Sequence, residues 1–470
     1  MGHGLGHRRG LSRPAAAQVP QRTTHPGTGT LTSVRILVLA DRIVADPWPQ
    51  AGLATEILRE LVSRGHLVTL ACDSAEEPAA ITELGIVLHQ KSSFCYRKWS
   101  KPARLRAWLE RADTVLAPRH DAVLSLTWLA TGGVWMPVGP AAATRLTSAT
   151  SRFVRRSGMP RMLCSDAVYA DTRSIPSLLA RTLVERLART HADRLARTHS
   201  IMVHSPAAAR QAEDFVRTAS SAWDPSRRRP RVLTTCPCGA SERPMGQTST
   251  MLRRITREML GIGQSDTVAL LPRIDRISSH VLPVFEAAAK LRAPVGPVTL
   301  LVVCPDPYAV RQAAEMTGAA DRVVVAAPSR RFESLLLACD LGILASPPHP
   351  QPFFAGSAHR AAADLLRRSR PILCRQGTPE AELVGQVQER AAGIIVPSGE
   401  VAAWHRALTT AADPSWRISA GVTARATADV RGLCPRTLAD ALEAALADSA
   451  VATRPVPAME RPVVSAGATR

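Results

Sequence analysis

The sequence predicts an α/β protein made of two Rossmann-like parallel-sheet domains that face each other across a cleft. Three observations predict it. Short apolar runs alternate with stretches of helical periodicity, the pattern of βαβ units. The alternation occurs as two series, split by an Arg-, Pro- and Ser-rich stretch over 218–248 that includes Arg227-Arg228-Arg229-Pro230. The length, 470 residues, suits two domains of ordinary size.

Composition narrows the class. Hydrophobic residues make up 46% and aromatics 4%, so the cores are mostly Ala, Leu and Val. The formal net charge is +20, carried mainly by Arg. Such a balance suits nucleic acid, an anionic membrane or a phosphorylated substrate. A GC-rich genome that writes Arg for Lys gives the same balance. No helix-turn-helix spacing, RNA-binding signature or aromatic-basic groove is present, so nucleic acid is not the expected partner. The nine cysteines are scattered, and Cys72, Cys304, Cys339 and Cys374 lie in apolar runs, as buried reduced thiols do. Cys236-Pro-Cys238 has no matching second cluster, so no metal is expected. No run is long enough to span a membrane, and the basic N-terminus lacks the apolar middle of a signal peptide. The expected location is the cytoplasm.

Taken in order, residues 1–33 read as a disordered basic arm. The first domain covers 34–217. Val34–Ala40 is a buried strand. Leu53, Ile57, Leu58, Leu61 and Val62 share one helical face, and Gly65 caps that helix. Leu67–Cys72 is the next strand. Trp99 and Trp108 interleave with basic residues over 96–111, which fits a helix docking on anionic lipid at the inner face of the membrane, or a solvated face over a core Trp. Further strands are Asp121–Thr127 and Ile201–Ser205, with helical periodicity over 175–198 between them. Residues 218–248 are the linker, with a short strand at Val232–Thr235. The second domain covers 249–447. It opens with a helix over 249–260 and then a strand, Thr267–Leu271. A helix over 281–291, a strand over Val298–Val303 and a helix over 308–316 follow. Beyond them come Arg322–Val325, a helix to Asp340, a strand to Ala345, an Ala-rich helix, Pro371–Cys374 and Gly393–Pro397. Helices near Val401–Ala411 and Thr437–Ala447 close the domain, and 448–470 read as a disordered tail.

The order of pieces resembles glycosyltransferase family 4, whose fold is GT-B. The first strand–loop–helix matches, with Ala51-Gly52 where the family has a Gly pair, and so does Arg64-Gly65-His66. In the second half Cys339-Asp340, Ser346-Pro347, Pro371-Ile372 and Gly377-Thr378-Pro379-Glu380 match the family's motifs. Its two glutamates, separated by seven residues, are not kept. Asp364 holds the second position and Gly356 the first, while Gln351-Pro352-Phe353 looks like the usual Glu-Pro-Phe displaced upstream. After the Thr267–Leu271 strand the family has an Arg and then a Lys-Gly. Arg273 matches the first, and Ser278 and Ser279 replace the pair.

The resemblance implies transfer of a sugar, with retention, from a nucleotide-diphosphate donor to a glycan, lipid-linked or small-molecule acceptor, without a metal cofactor. It implies a donor site at Ala51, Gly52, Ser278, Ser346, Asp364, Gly377 and Thr378, with Asp364 on the ribose. It assigns catalytic positions to Arg273 and Glu380, and acceptor-side positions to Asp121, Thr127 and Gly132. A departing nucleoside diphosphate needs positive charge and N–H dipoles around it. With Ser278 at the Lys position, Arg276 is the nearest substitute. The lost Lys and Glu keep a second reading open, a GT-B protein that binds or scaffolds without turnover.

Overall fold

The computed structural model describes residues 33–43, 52–75, 78–90, 101–127, 133–136, 195, 197–220, 229–235, 247–272, 274, 277, 280–291, 297–327, 332–346, 356–387 and 390–453.

The first sheet takes its strands from β1 (Arg35–Ile43), β2 (Leu67–Ala75), β3 (Val87–Gln90), β4 (Ala122–Ser125), β5 (Val134–Trp135), β6 (Ser200–Val203) and β7 (Arg231–Thr234). Its order is β3-β2-β1-β4-β5-β6-β7, and every pairing is parallel. Helices α1 (Gly52–Ser63), α2 (Pro78–Glu83), α3 (Lys101–Leu116) and α4 (Pro206–Ser220) flank it. The helical face read from sequence is the buried one: Leu53, Ile57, Leu58 and Leu61 pack with Ile36, Val38, Leu70 and Leu124. Gly65 adopts φ 85, a left-handed value that only Gly takes freely. In α3, Trp108 packs against Leu37, Leu39, Ala71 and Leu109, so this half of the aromatic pair belongs to the core. Trp99 lies outside the described residues.

The second sheet contains β8 (Thr267–Leu271), β9 (Val298–Val303), β10 (Val323–Ala326), β11 (Leu341–Leu344), β12 (Ile372–Arg375) and, after a short β13–β14 hairpin (Gln386–Val387 with Arg390–Ala391), β15 (Gly393–Val396). Its order is β10-β9-β8-β11-β12-β15, again all parallel. Strands β8 and β9 are buried on both faces, which is why they read as unbroken apolar runs. The connecting helices are α5 (Gln247–Met259), α6 (Leu282–Ala289), α7 (Pro307–Met316), α8 (Phe332–Ala338) and α9 (Gly356–Arg367). Cys72, Cys304, Cys339 and Cys374 are buried and form no disulfide, and burial pushes the Cys339 thiol up to about 11.

Three helices finish the described chain: α10 (Val401–Ala412), α11 (Pro414–Val430) and α12 (Pro435–Thr453). The sequence pattern passes over α11. Its signal is the Asp413-Pro414 start, where the Asp413 carboxylate accepts from Ser415 N–H at 3.0 Å. The buried face is Ala420, Gly421, Thr423, Ala424, Thr427 and Ala428, whose small side chains give little apolar periodicity. Helix α12 runs to Thr453, past the tail expected from 448, because Ala445, Leu446 and Ser449 are still buried. It returns to the first domain: Leu438, Leu442, Ala445 and Leu446 join the core of β1, β4 and β5. Arg64 fixes it by donating to Asp440 (2.7 Å), Glu443 (3.0 Å) and the Arg436 carbonyl (2.8 Å). Gly133 lets it pass, since a Cβ there would collide with Ser449. The stretch 218–248 contributes β7 to the first sheet, while 221–228 and 236–246, with Cys236-Pro-Cys238, lie outside the described residues. So do 1–32, most of 175–198 and everything after 453. Among the described residues no helix is long and apolar enough to cross a membrane.

Candidate functional site

In each sheet the first strand of the series lies centrally, with its second and third strands to one side and its fourth and fifth to the other. The chain therefore reverses direction between β1 and β4, and again between β8 and β11. Open parallel sheets take ligands outside the carboxyl ends of the strands at such a reversal. In the second sheet the edge is formed by Pro272 after β8, Ser346 after β11, the start of α9, and the turn that follows β12.

The turn after β12 is built by its own residues. Gly377 adopts φ 76, which redirects the chain into a one-turn 3-10 helix, Pro379–Glu382. The Thr378 hydroxyl donates to the Arg375 carbonyl at 2.8 Å, and Thr378 is buried. Its hydroxyl is engaged inside the turn. Gly377 is exposed at the edge. Glu380 is 0% exposed, and neither carboxylate oxygen has a hydrogen-bond partner among the described residues. It makes no bond to the Gly377–Thr378 backbone. Burial, and then the nearby Glu380 charge, push the Cys374 thiol up.

Helix α9 packs beside this turn and carries the other charges. Asp364 is 1% exposed, not a surface residue. Its two oxygens lie 3.9 Å from Arg360 Nε and 3.9 Å from Arg368 Nη1. Arg368 donates to Glu333 at 3.3 Å. Arg360 is 1% exposed, and Nε, Nη1 and Nη2 all lack a hydrogen-bond partner among the described residues. Sequence reading misses Arg360, because an Arg in an Ala-rich helix reads as solvated. It also misses Arg375, at the carboxyl end of β12. The Arg375 Nη1 lies 3.3 Å from His280 Nδ1, which ties this strand end to the start of α6, where the loop after β8 ends.

Asp340, matched in sequence to a family motif, sits at the opposite edge. It accepts from Arg253 Nη2 (2.6 Å), Arg257 Nη2 (2.9 Å) and Val268 N–H (2.8 Å). Burial pushes its carboxyl up, but the Val268 N–H and the two arginines outweigh this and hold it below the usual range.

No family model and no curated protein matches the chain. Solved structures do. The chain superposes on WaaG, a glycosyltransferase involved in lipopolysaccharide biosynthesis, with TM-score 0.53 and 18% identity over 86% of this chain and 99% of that one. It superposes on HepE from Anabaena, solved with UDP and glucose, with TM-score 0.57 and 14% identity over 88% and 99%. A trehalose 6-phosphate synthase from Burkholderia multivorans gives 0.55 and 13% over 90% and 100%. The fold is GT-B.

On the first sheet of this GT-B chain the residues expected on the acceptor side separate. Asp121 precedes β4, at the amino edge, where it pairs with Arg35 at 3.1 Å. That pairing, chiefly the side-chain hydrogen bond from Arg35, holds its carboxyl below the usual range. Thr127 is at the carboxyl edge and buried, and its carbonyl accepts from Trp135 Nε1 at 2.8 Å. Gly52 opens α1. Ala51, Gly132, Arg273, Arg276 and Ser278 lie outside the described residues. Among the described residues no cluster of three or more His, Cys, Asp or Glu could hold a metal.

Proposed function

We propose that the chain transfers a sugar, with retention, from a nucleotide-diphosphate donor to a glycan, lipid-linked or small-molecule acceptor, in the manner of glycosyltransferase family 4. The observation that carries this reading is the buried charge at the carboxyl edge of the second sheet. Arg360 and Glu380 find no hydrogen bonds among the described residues there, one strand away from the chain reversal. A donor offers both partners that such groups lack: anionic phosphate for a guanidinium, and hydroxyl donors for a carboxylate. By the family resemblance, the Asp364 carboxylate is the group that would take the ribose diol. The relatives in fold support the donor class, since one was solved with UDP and glucose.

A thermal-shift panel of nucleotide sugars tests the reading, because a ligand that binds only the folded state raises apparent stability. One or a few nucleotide sugars should raise the melting temperature, and acceptor-dependent release of the nucleoside diphosphate should follow with the same donor. A flat panel would sink the proposal. Ser278 at the Lys position and Gly356 at the first acid position favour a second reading, a GT-B protein that binds donor without turnover. Binding without release of nucleoside diphosphate would establish that one.

A further inference from the structure

We propose that Arg360 is the second cation of the donor site, the group that contacts the diphosphate in place of the Lys that Ser278 replaces. This rests on the nucleotide-sugar reading above. Helix α9 follows the loop leaving β11, so its first turns lie at the carboxyl edge by connectivity. Arg360 stands just inside that start. The helix start is itself partly positive and exposes unpaired N–H groups.

The decisive observation is the state of the guanidinium. It is 1% exposed, and none of its three nitrogens is hydrogen-bonded among the described residues. The Asp364 carboxylate lies 3.9 Å away, too far for a hydrogen bond. A buried charge without hydrogen bonds is costly in a folded protein. Bulk solvent relieves little of that cost, because the side chain is almost wholly buried. The contrast with Arg257 is direct: that guanidinium is 0% exposed and donates five hydrogen bonds. The chain satisfies a buried arginine at 257, and among the described residues it does not at 360. A diphosphate supplies several acceptor oxygens in the fork geometry that a guanidinium matches.

The test uses the full chain and calorimetric titration with UDP, GDP, ADP, inorganic pyrophosphate and uridine. Arg360→Met should weaken the preferred nucleoside diphosphate and pyrophosphate by roughly 10- to 100-fold. Any affinity for the nucleoside alone should stay the same. Arg360→Lys, which keeps the charge and loses the fork, should fall between wild type and Arg360→Met. Equal binding of the diphosphate by wild type and Arg360→Met would overturn the proposal while leaving the donor reading intact. If Arg360→Met does not fold, Arg360→Lys decides: unchanged pyrophosphate affinity overturns the proposal and a several-fold loss supports it. Wild-type protein that binds pyrophosphate through Arg360 but no nucleotide would keep the anion site and remove the donor reading. Wild-type protein that binds neither would remove both.

Discussion

Two groups of buried charge lie at opposite edges of the second sheet and are treated in opposite ways. At the amino edge, Asp340 accepts three hydrogen bonds, and the Arg257 guanidinium donates from all three of its nitrogens. At the carboxyl edge, Arg360 and Glu380 are as deeply buried and have none among the described residues. Both groups sit in the same domain and combine a carboxylate with arginine. The difference teaches where the fold is closed and where it is left open. A satisfied charge fastens α5 to the start of β8 and β11. The carboxyl-edge charges fasten no element by hydrogen bonds among the described residues.

The largest effect should come from breaking the closed cluster. Asp340→Ala leaves Arg253 and Arg257 without their carboxylate, and removing one partner of a buried pair typically costs about 3–5 kcal/mol. Denaturant unfolding should show a loss of that size. A loss under about 1 kcal/mol would mean the two clusters do not differ in kind. The open cluster should respond the other way. Arg360→Met combined with Glu380→Leu removes two buried charges that lack hydrogen bonds, and should raise ligand-free stability by about 1–4 kcal/mol while abolishing donor binding. A destabilised double variant would show that the two side chains are a structural pair.

Acid sharpens the same contrast. The Asp340 carboxyl is held below its usual value in the folded state, so its contribution is complete above the unfolded value of about 4 and is lost as pH falls through the lower folded one. Unfolding midpoints between about pH 5 and pH 2 should fall more steeply for wild type than for Asp340→Asn. Equal slopes would contradict the role given to Asp340. The smallest effect is a control on the helix of the open cluster. Ser369, just past α9, has φ 56, a left-handed value that disfavours side chains. Ser369→Gly should add about 0.5–1 kcal/mol and leave nucleotide affinity unchanged. A change in affinity would mean that the helix end, and not only Arg360, shapes the site.

Much of the architecture was legible because it rests on apolar spacing. Leu53, Ile57, Leu58 and Leu61 declare a helical face, and Thr267–Leu271 and Val298–Val303 declare strands buried on both sides. Helix α11 was not legible, since Ala, Gly and Thr bury their faces through closeness and not through hydrophobic contrast. The site was legible only by position. Sequence placed Ser346, Gly377 and Glu380 after strands, but it could not tell that Thr378 closes a turn or that Asp121 clasps Arg35. Arg360 was invisible for a physical reason: sequence shows a charge, and only packing shows whether that charge has a partner.

Helix α12 carries a consequence for the making of the protein. Leu438, Leu442, Ala445 and Leu446 complete a core whose other members begin at Ile36. On the ribosome, β1 to β7 therefore emerge long before the surface that seals them. At about 5–20 residues per second, synthesis of the second domain imposes a wait on the order of ten seconds or more. Through that interval the nascent first domain presents an apolar strip along β1, β4 and β5, and a chaperone that covers it must leave before α12 can arrive.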